Sequence, residues 1–227
     1  MNDICIRMIE IVAHGLGDLN DYVAFVGGAA AGLYVDDLAS DDARPTTDVD
    51  CVMQLRAMNG LYNLEETLQS RHFRHDIESG IICRWTYQGI TVDIMPDDER
   101  ILGFSNRWYT KGMDNRIDYV LPNNETIHIF PAPFYLATKL EAIASRGGCD
   151  LRLSHDFEDF VFVLNGRTNI VAELQNISDH ELRTYLSDKF QELRDNPNIE
   201  ECITCVLPIG EEERCEYIIS ILEAINT

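Results

Sequence analysis

Apolar residues recur at near-helical spacing over residues 3–18, where Ile4, Met8, Ile11, Val12 and Leu16 predict an amphipathic first helix. Tyr22-Val23-Ala24-Phe25-Val26 then reads as a short β-rich run that stops at Gly27-Gly28. Residues 29–33 resume helical character, so the unit is strand, glycine turn, helix. A polar stretch over residues 36–47 contains Asp36, Asp37, Asp41 and Asp42, runs through Arg44-Pro45, and predicts a loop. Strand character returns over residues 48–55, followed by a helix over 61–70. Two strands over residues 81–87 and 90–95 meet at Gln88-Gly89, a hairpin signal, and a short strand over 127–130 precedes Pro131. Residues 100–124 show no dominant period.

From Pro133 onward the pattern is helical, in segments 134–146, 155–165, 169–175, 178–194 and 211–225. The expected fold class is therefore α+β: a mixed β-sheet core with flanking helices over residues 1–130, then a helical region over 131–227. The chain shows neither an internal repeat nor a low-complexity tract.

Composition narrows the possible partners. Of 227 residues, 45% are apolar and 25% charged, which is the balance of a chain that buries a core. The 39 acidic residues outnumber 18 basic ones, for a net charge of −21. That argues against duplex DNA as a partner, since phosphate binding needs a basic face. No apolar run approaches the roughly 18–20 residues of a membrane span, and the first residues lack a secretory pattern. A cytoplasmic protein with no membrane partner is the expectation.

The seven cysteines are scattered, odd in number and mostly set in apolar surroundings, as in Cys51-Val52-Met53, which predicts reduced, buried thiols. Cys202-Ile203-Thr204-Cys205 has ligand-like spacing with Cys215 beyond it. No nearby His or Cys completes the four ligands of a structural zinc site.

The chemistry concentrates in the first half. Glycines at 27 and 28, where a strand yields to a helix, let backbone approach a ligand closely and suit a phosphate. In Asp48-Val49-Asp50 the two carboxylates share one face of a strand. Their repulsion is relieved by a cation such as Mg²⁺, which takes hard oxygen ligands. Asp93 lies between apolar residues in Thr91-Val92-Asp93-Ile94-Met95, where a carboxylate is costly without a partner. If the two strands are neighbours, the three acids converge as a two-metal site for phosphoryl transfer.

On these residues the chain resembles the nucleotidyltransferase superfamily. It is most similar to the AbiEii/AbiGii-type toxin branch of bacterial abortive-infection and toxin–antitoxin systems. The similar segments are Val26-Gly27-Gly28-Ala29-Ala30 and Arg44-Pro45-Thr46-Thr47-Asp48-Val49-Asp50, followed by Lys139-Leu140-Glu141-Ala142 and His155-Asp156-Phe157-Glu158-Asp159, so the resemblance runs over residues 22–167. It implies a nucleotidyltransferase-like core whose helical region completes the cleft. Gly27 and Gly28 would cradle the nucleotide, and Asp48, Asp50 and Asp93 would bind metal. Asp93 would complete the metal site or help deprotonate the acceptor. Lys139 would offset phosphate charge, Arg44 and Thr46 would position the triphosphate or brace the loop, and Asp156 would orient Lys139 or help hold the two regions together.

The implied reaction is Mg²⁺-dependent transfer of a nucleoside monophosphate from an NTP to tRNA or another RNA, a protein or a small molecule. A cognate antitoxin would be a further partner. The net charge of −21 favours a cationic small-molecule acceptor. Arg71, Arg74, Arg84, Arg100, Arg107, Lys111 and Arg116, with Trp85, Trp108 and Tyr109 for stacking, are the candidates for an RNA groove, though a solvated surface is the simpler reading of the cluster. The alternative to an enzyme is a non-catalytic nucleotide- or partner-binding module with the same fold. A third reading, nucleic-acid mimicry by the acidic helical tail toward a basic partner, has only the 13 acidic against 4 basic side chains of residues 171–227 behind it and carries little weight.

Overall fold

A computed structural model describes residues 3–37, 42–54, 61–98, 100, 105–146, 150–211 and 213–225. The chain forms two compact units, one of Asn2–Ala30 with Arg44–Pro131 and one of Ala31–Ala43 with Ala132–Thr227. The first holds a seven-stranded mixed sheet and the second is helical, an α+β architecture.

In the sheet unit, α1 (Asp3–Leu16) is followed by β1 (Val23–Val26), the four-residue α2 (Gly27–Ala30) and β2 (Asp48–Met53). After α3 (Leu61–Ser70) come β3 (Arg74–His75), β4 (Arg84–Tyr87) and β5 (Ile90–Pro96). Then α4 (Tyr109–Asp114), β6 (Ile117–Val120) and β7 (Thr126–Ile129) complete it. The strand order is β3-β4-β5-β2-β1-β7-β6. β1 runs antiparallel to β2 and parallel to β7, while β2 runs parallel to β5. All four residues of β1 are buried, as befits a central strand. Ile9, Val12, Ala13 and Leu16 are buried on α1, which packs against α2 and β2. The hairpin joining β4 and β5 turns on Gln88 and Gly89, both with positive φ, the backbone that a two-residue turn requires.

In the helical unit the helices are α5 (Ala132–Ser145), α6 (His155–Gly166), α7 (Ile170–Gln175), α8 (His180–Arg194), α9 (Ile199–Val206) and α10 (Arg214–Ala224). Ser154 caps α6 by accepting from the Phe157 amide at 3.3 Å, and Asp179 caps α8 by accepting from that of Leu182 at 2.9 Å. Phe157, Phe160, Phe190, Leu186 and Ile218 build the core, with Phe160 meeting Phe190 edge-on at 5.8 Å between centroids. No described helix is long and apolar enough to cross a membrane.

Three features differ from the sequence expectations. The helix after Gly28 is short: it becomes a tighter 3₁₀ turn over Ala31–Tyr34, and these residues group with the helical unit rather than with the first 130. The amides of Asp36 and Asp37 donate to the Gly166 carbonyl at 3.1 and 3.0 Å, and the Thr168 amide donates to Asp36 at 2.8 Å. These bonds tie the segment to the end of α6. Within residues 100–124, where no period is legible, α4 is too short to show one, and β6 is an edge strand with little buried alternation. Finally, α9 encloses the Cys-x-x-Cys pair. Its Ile199, Cys202 and Ile203 face the interior at helical spacing, so Cys202 packs as a small apolar side chain while Cys205 is exposed.

Candidate metal centre

Parallel pairing of β2 with β5 sets Asp50 directly beside Asp93, and the period of two places Asp48 on the same face as Asp50. Val49 and Cys51 point the other way and are fully buried, while Asp48 and Asp50 are half-buried. One carboxylate oxygen from each of Asp48, Asp50 and Asp93 lies within 4.8 Å of the others, the one such grouping of His, Cys, Asp and Glu ligands among the described residues. Three hard, anionic oxygens suit Mg²⁺ or a similar divalent cation and not a thiolate-seeking ion.

Arg84 is the cation the sheet itself supplies. It sits opposite Asp93 across the β4–β5 pair and donates Nε to Oδ1 at 2.8 Å and Nη2 to Oδ2 at 2.7 Å. This two-pronged contact is the strong form of a charge-assisted hydrogen bond. The bonds to Asp93, reinforced by the charges of Asp48 and Asp76, hold the guanidinium more firmly protonated than usual. From residue type and spacing alone, Arg84 is one of the basic residues of a candidate groove. The signal was nevertheless present: a two-residue turn at Gln88-Gly89 pairs Tyr87 with Ile90, and counting outward pairs Arg84 with Asp93.

Two predicted residues brace the acids. Thr46 donates its hydroxyl to Asp48 Oδ1, just before β2 begins, and so limits that carboxylate's rotation. Gly27 has φ +68°, and a Cβ there would lie 2.5 Å from Asp50 Cγ and 2.6 Å from Asp50 Cβ. Glycine at 27 therefore makes room for the Asp50 side chain, a reason that adjacency to a ligand alone does not capture. Gly28 is buried in the first turn of α2, and Arg44 is half-buried ahead of β2.

Lys139 and Asp156 lie in the helical unit. Lys139 is 4% exposed, with its ammonium 2.7 Å from Asp159 and 3.3 Å from Asp156, and 5.5 Å above the Tyr135 ring. Arg146 adds a second cation at 2.7 Å from Asp156. Asp156 and Asp159 share a face of α6 at helical spacing, which places both against Lys139. Asp159, 1% exposed, is the member of the cluster for which the family resemblance implies no role.

Two of the three stacking residues named for an RNA groove are buried, and the third, Tyr109, is half-buried. Trp108 is 1% exposed and Trp85 4%, because both pack into the core of the sheet unit. Several of the basic residues are also engaged locally: Arg71 pairs with Asp18, Arg100 with Asp98, and Arg116 donates to the carbonyls of Met113 and Asp21. Cys51, next to Asp50 on the opposite face, has its thiol pushed well up by burial and then by the charges of Asp50 and Asp93. Burial and Asp93 raise Cys83 as well. Both stay neutral thiols at physiological pH and add no ligand to the centre. Comparison with protein-family models and with characterised proteins finds no match for this chain.

Proposed function

We propose that the protein is a Mg²⁺-dependent nucleotidyltransferase that moves a nucleoside monophosphate from an NTP to an acceptor hydroxyl. The observation that carries this reading is the convergence of Asp48, Asp50 and Asp93, drawn from two separate strands, beside the Gly27 turn. A module that only binds a partner has no use for three confined like charges.

Asp48, Asp50 and Asp93 would hold the cation, which when bound supplies positive charge against the triphosphate. The remaining work belongs to positioning. Thr46 fixes Asp48, the bare Gly27 lets Asp50 seat, and Arg84 fixes Asp93. The acceptor oxygen bonds to the α-phosphorus as the bond to the bridging oxygen breaks, so pyrophosphate leaves and the hydroxyl proton passes to water. Both Asp93 oxygens already accept from Arg84, which suits Asp93 to ligation better than to taking that proton. Gly28, Arg44 and the Lys139–Asp156 pair are assigned no step; the buried pairing of Lys139 with Asp156 and Asp159 accounts for its place in the helical unit.

Incubation of the protein with each α-³²P-labelled NTP, Mg²⁺ and a cell extract tests the proposal. Label should enter one fraction, and Asp48→Asn should abolish it. Label in tRNA would support a toxin of a toxin–antitoxin or abortive-infection system, whereas label in a cationic small molecule would support a modifying enzyme. No labelled fraction with any NTP, or label that survives Asp48→Asn, would overturn the proposal.

A further inference from the structure

β6 closes one end of the sheet, three strands away from β2. The Leu121 amide donates to the Glu125 carbonyl at 2.9 Å, and antiparallel pairing alternates, so the backbone polar groups of Ile117 and Tyr119 face β7. Those of Asp118 and Val120 face outward, and among the described residues no strand or loop hydrogen-bonds to them. The register runs without a bulge from Ile117 opposite Ile129 to Val120 opposite Thr126. The strand also holds neither proline nor lysine, the residues that ordinarily blunt an edge. Arg116, just before it, is turned back onto the carbonyls of Met113 and Asp21 at 2.8 and 3.3 Å. Val120 on one face is 63% exposed and Ile117 on the other 43%. The opposite edge, β3, has only two residues and offers no comparable template.

We propose that β6 is a docking edge for an extended basic segment of a partner protein, which adds to the sheet as an antiparallel strand. Charge and size select this occupant. Asp118 is the one charged side chain of β6, and it remains 75% exposed although His128 Nδ1 lies 3.0 Å from it. A lysine or arginine opposite Asp118, with β-branched or apolar side chains opposite Val120, Tyr119 and Ile117, makes favourable cross-strand pairs on both faces. The net charge of −21 attracts such a segment and repels a second copy of this chain. A second copy joined through four residues would also bury far less than the roughly 1,200 Å² of a stable interface. Strand addition instead draws its affinity from main-chain hydrogen bonds, which Asp118 and Val120 are placed to exchange. The proposal goes beyond the transferase reading and does not rest on it.

Fluorescence anisotropy of the full chain with a fluorescein-labelled peptide, Lys-Val-Thr-Lys-Val-Lys, tests this. In antiparallel register its first valine falls opposite Val120 and its second lysine opposite Asp118. The wild type should bind it, and amide hydrogen exchange should show new protection at Asp118 and Val120. N-methylation of those two peptide residues keeps the charge and removes the donors aimed at β6, so binding should weaken about tenfold or more. Val120→Pro removes an outward N–H without touching the β7 ladder and should weaken binding similarly. Asp118→Lys should disfavour this peptide and favour one with glutamate in place of lysine. If Val120→Pro does not fold, Asp118→Lys and the N-methylated peptide decide the matter. No binding, binding indifferent to N-methylation, or equal binding of the glutamate peptide by the wild type would overturn the proposal. A wild-type dimer in sedimentation, with Asp118 and Val120 already protected without peptide, would overturn it in favour of a second copy.

Discussion

Replacing Gly27 with alanine puts the geometry of the acid cluster to a direct test. Two costs add. Alanine at φ +68° occupies the left-handed region, at about 1–2 kcal/mol. Its Cβ would also fall 2.5 Å from Asp50 Cγ and 2.6 Å from Asp50 Cβ, so Asp50 or the turn must move, at about 1–3 kcal/mol. A loss of about 2 kcal/mol or more lowers the Tm of a chain this size by about 4–8 °C. Displacing one of the three carboxylates proposed as ligands should in addition weaken Mn²⁺ binding by about tenfold, or 1.4 kcal/mol.

Thermal unfolding and Mn²⁺ titration of Gly27→Ala, Asp50→Gly and the double variant separate the terms. Asp50→Gly removes the atoms that the new methyl would strike, so in that background Gly27→Ala should cost only the backbone term. An equal Tm loss in both backgrounds, or full-strength Mn²⁺ binding by Gly27→Ala, would refute the argument that Asp50 is why residue 27 is glycine.

Two further expectations concern the helical unit. Lys139→Met leaves the buried carboxylates of Asp156 and Asp159 without the Lys139 charge and should cost about 3–5 kcal/mol in urea unfolding; a loss below about 1 kcal/mol would show that the pairing is not a structural support. For Asp36, the hydrogen bond from the Thr168 amide, chiefly, holds the carboxyl below its ordinary range. A lowered folded value means that the stabilisation is complete above the unfolded pKa and is lost as pH falls through the folded one. Because Asp36 is exposed, its contribution is at most about 1 kcal/mol. The stability gap between wild type and Asp36→Ala, measured by denaturant titration, should therefore be open at neutral pH and shrink below the ordinary aspartate pKa of about 3.9. A gap that widens in acid would contradict this sign.

Periodicity alone was enough to locate α1, β1, β2, the β4–β5 hairpin and most of the C-terminal helices, because each carries an apolar face or a turn residue that no other local structure satisfies. It also put Asp48 and Asp50 on one face, since strand geometry leaves no choice once the strand exists. What it left open was which strands become neighbours. The parallel pairing of β2 with β5, which brings Asp93 to Asp50, joins segments some forty residues apart, and no local pattern encodes such a partnership. Burial of Trp85 and Trp108, the grouping of residues 31–43 with the helices, and the space that Asp50 claims over Gly27 were likewise decided by packing. Residue types and local spacing set what each segment can become and which atoms it can offer. Only the folded chain decides which atoms meet, because contact between distant segments depends on how the apolar faces close together.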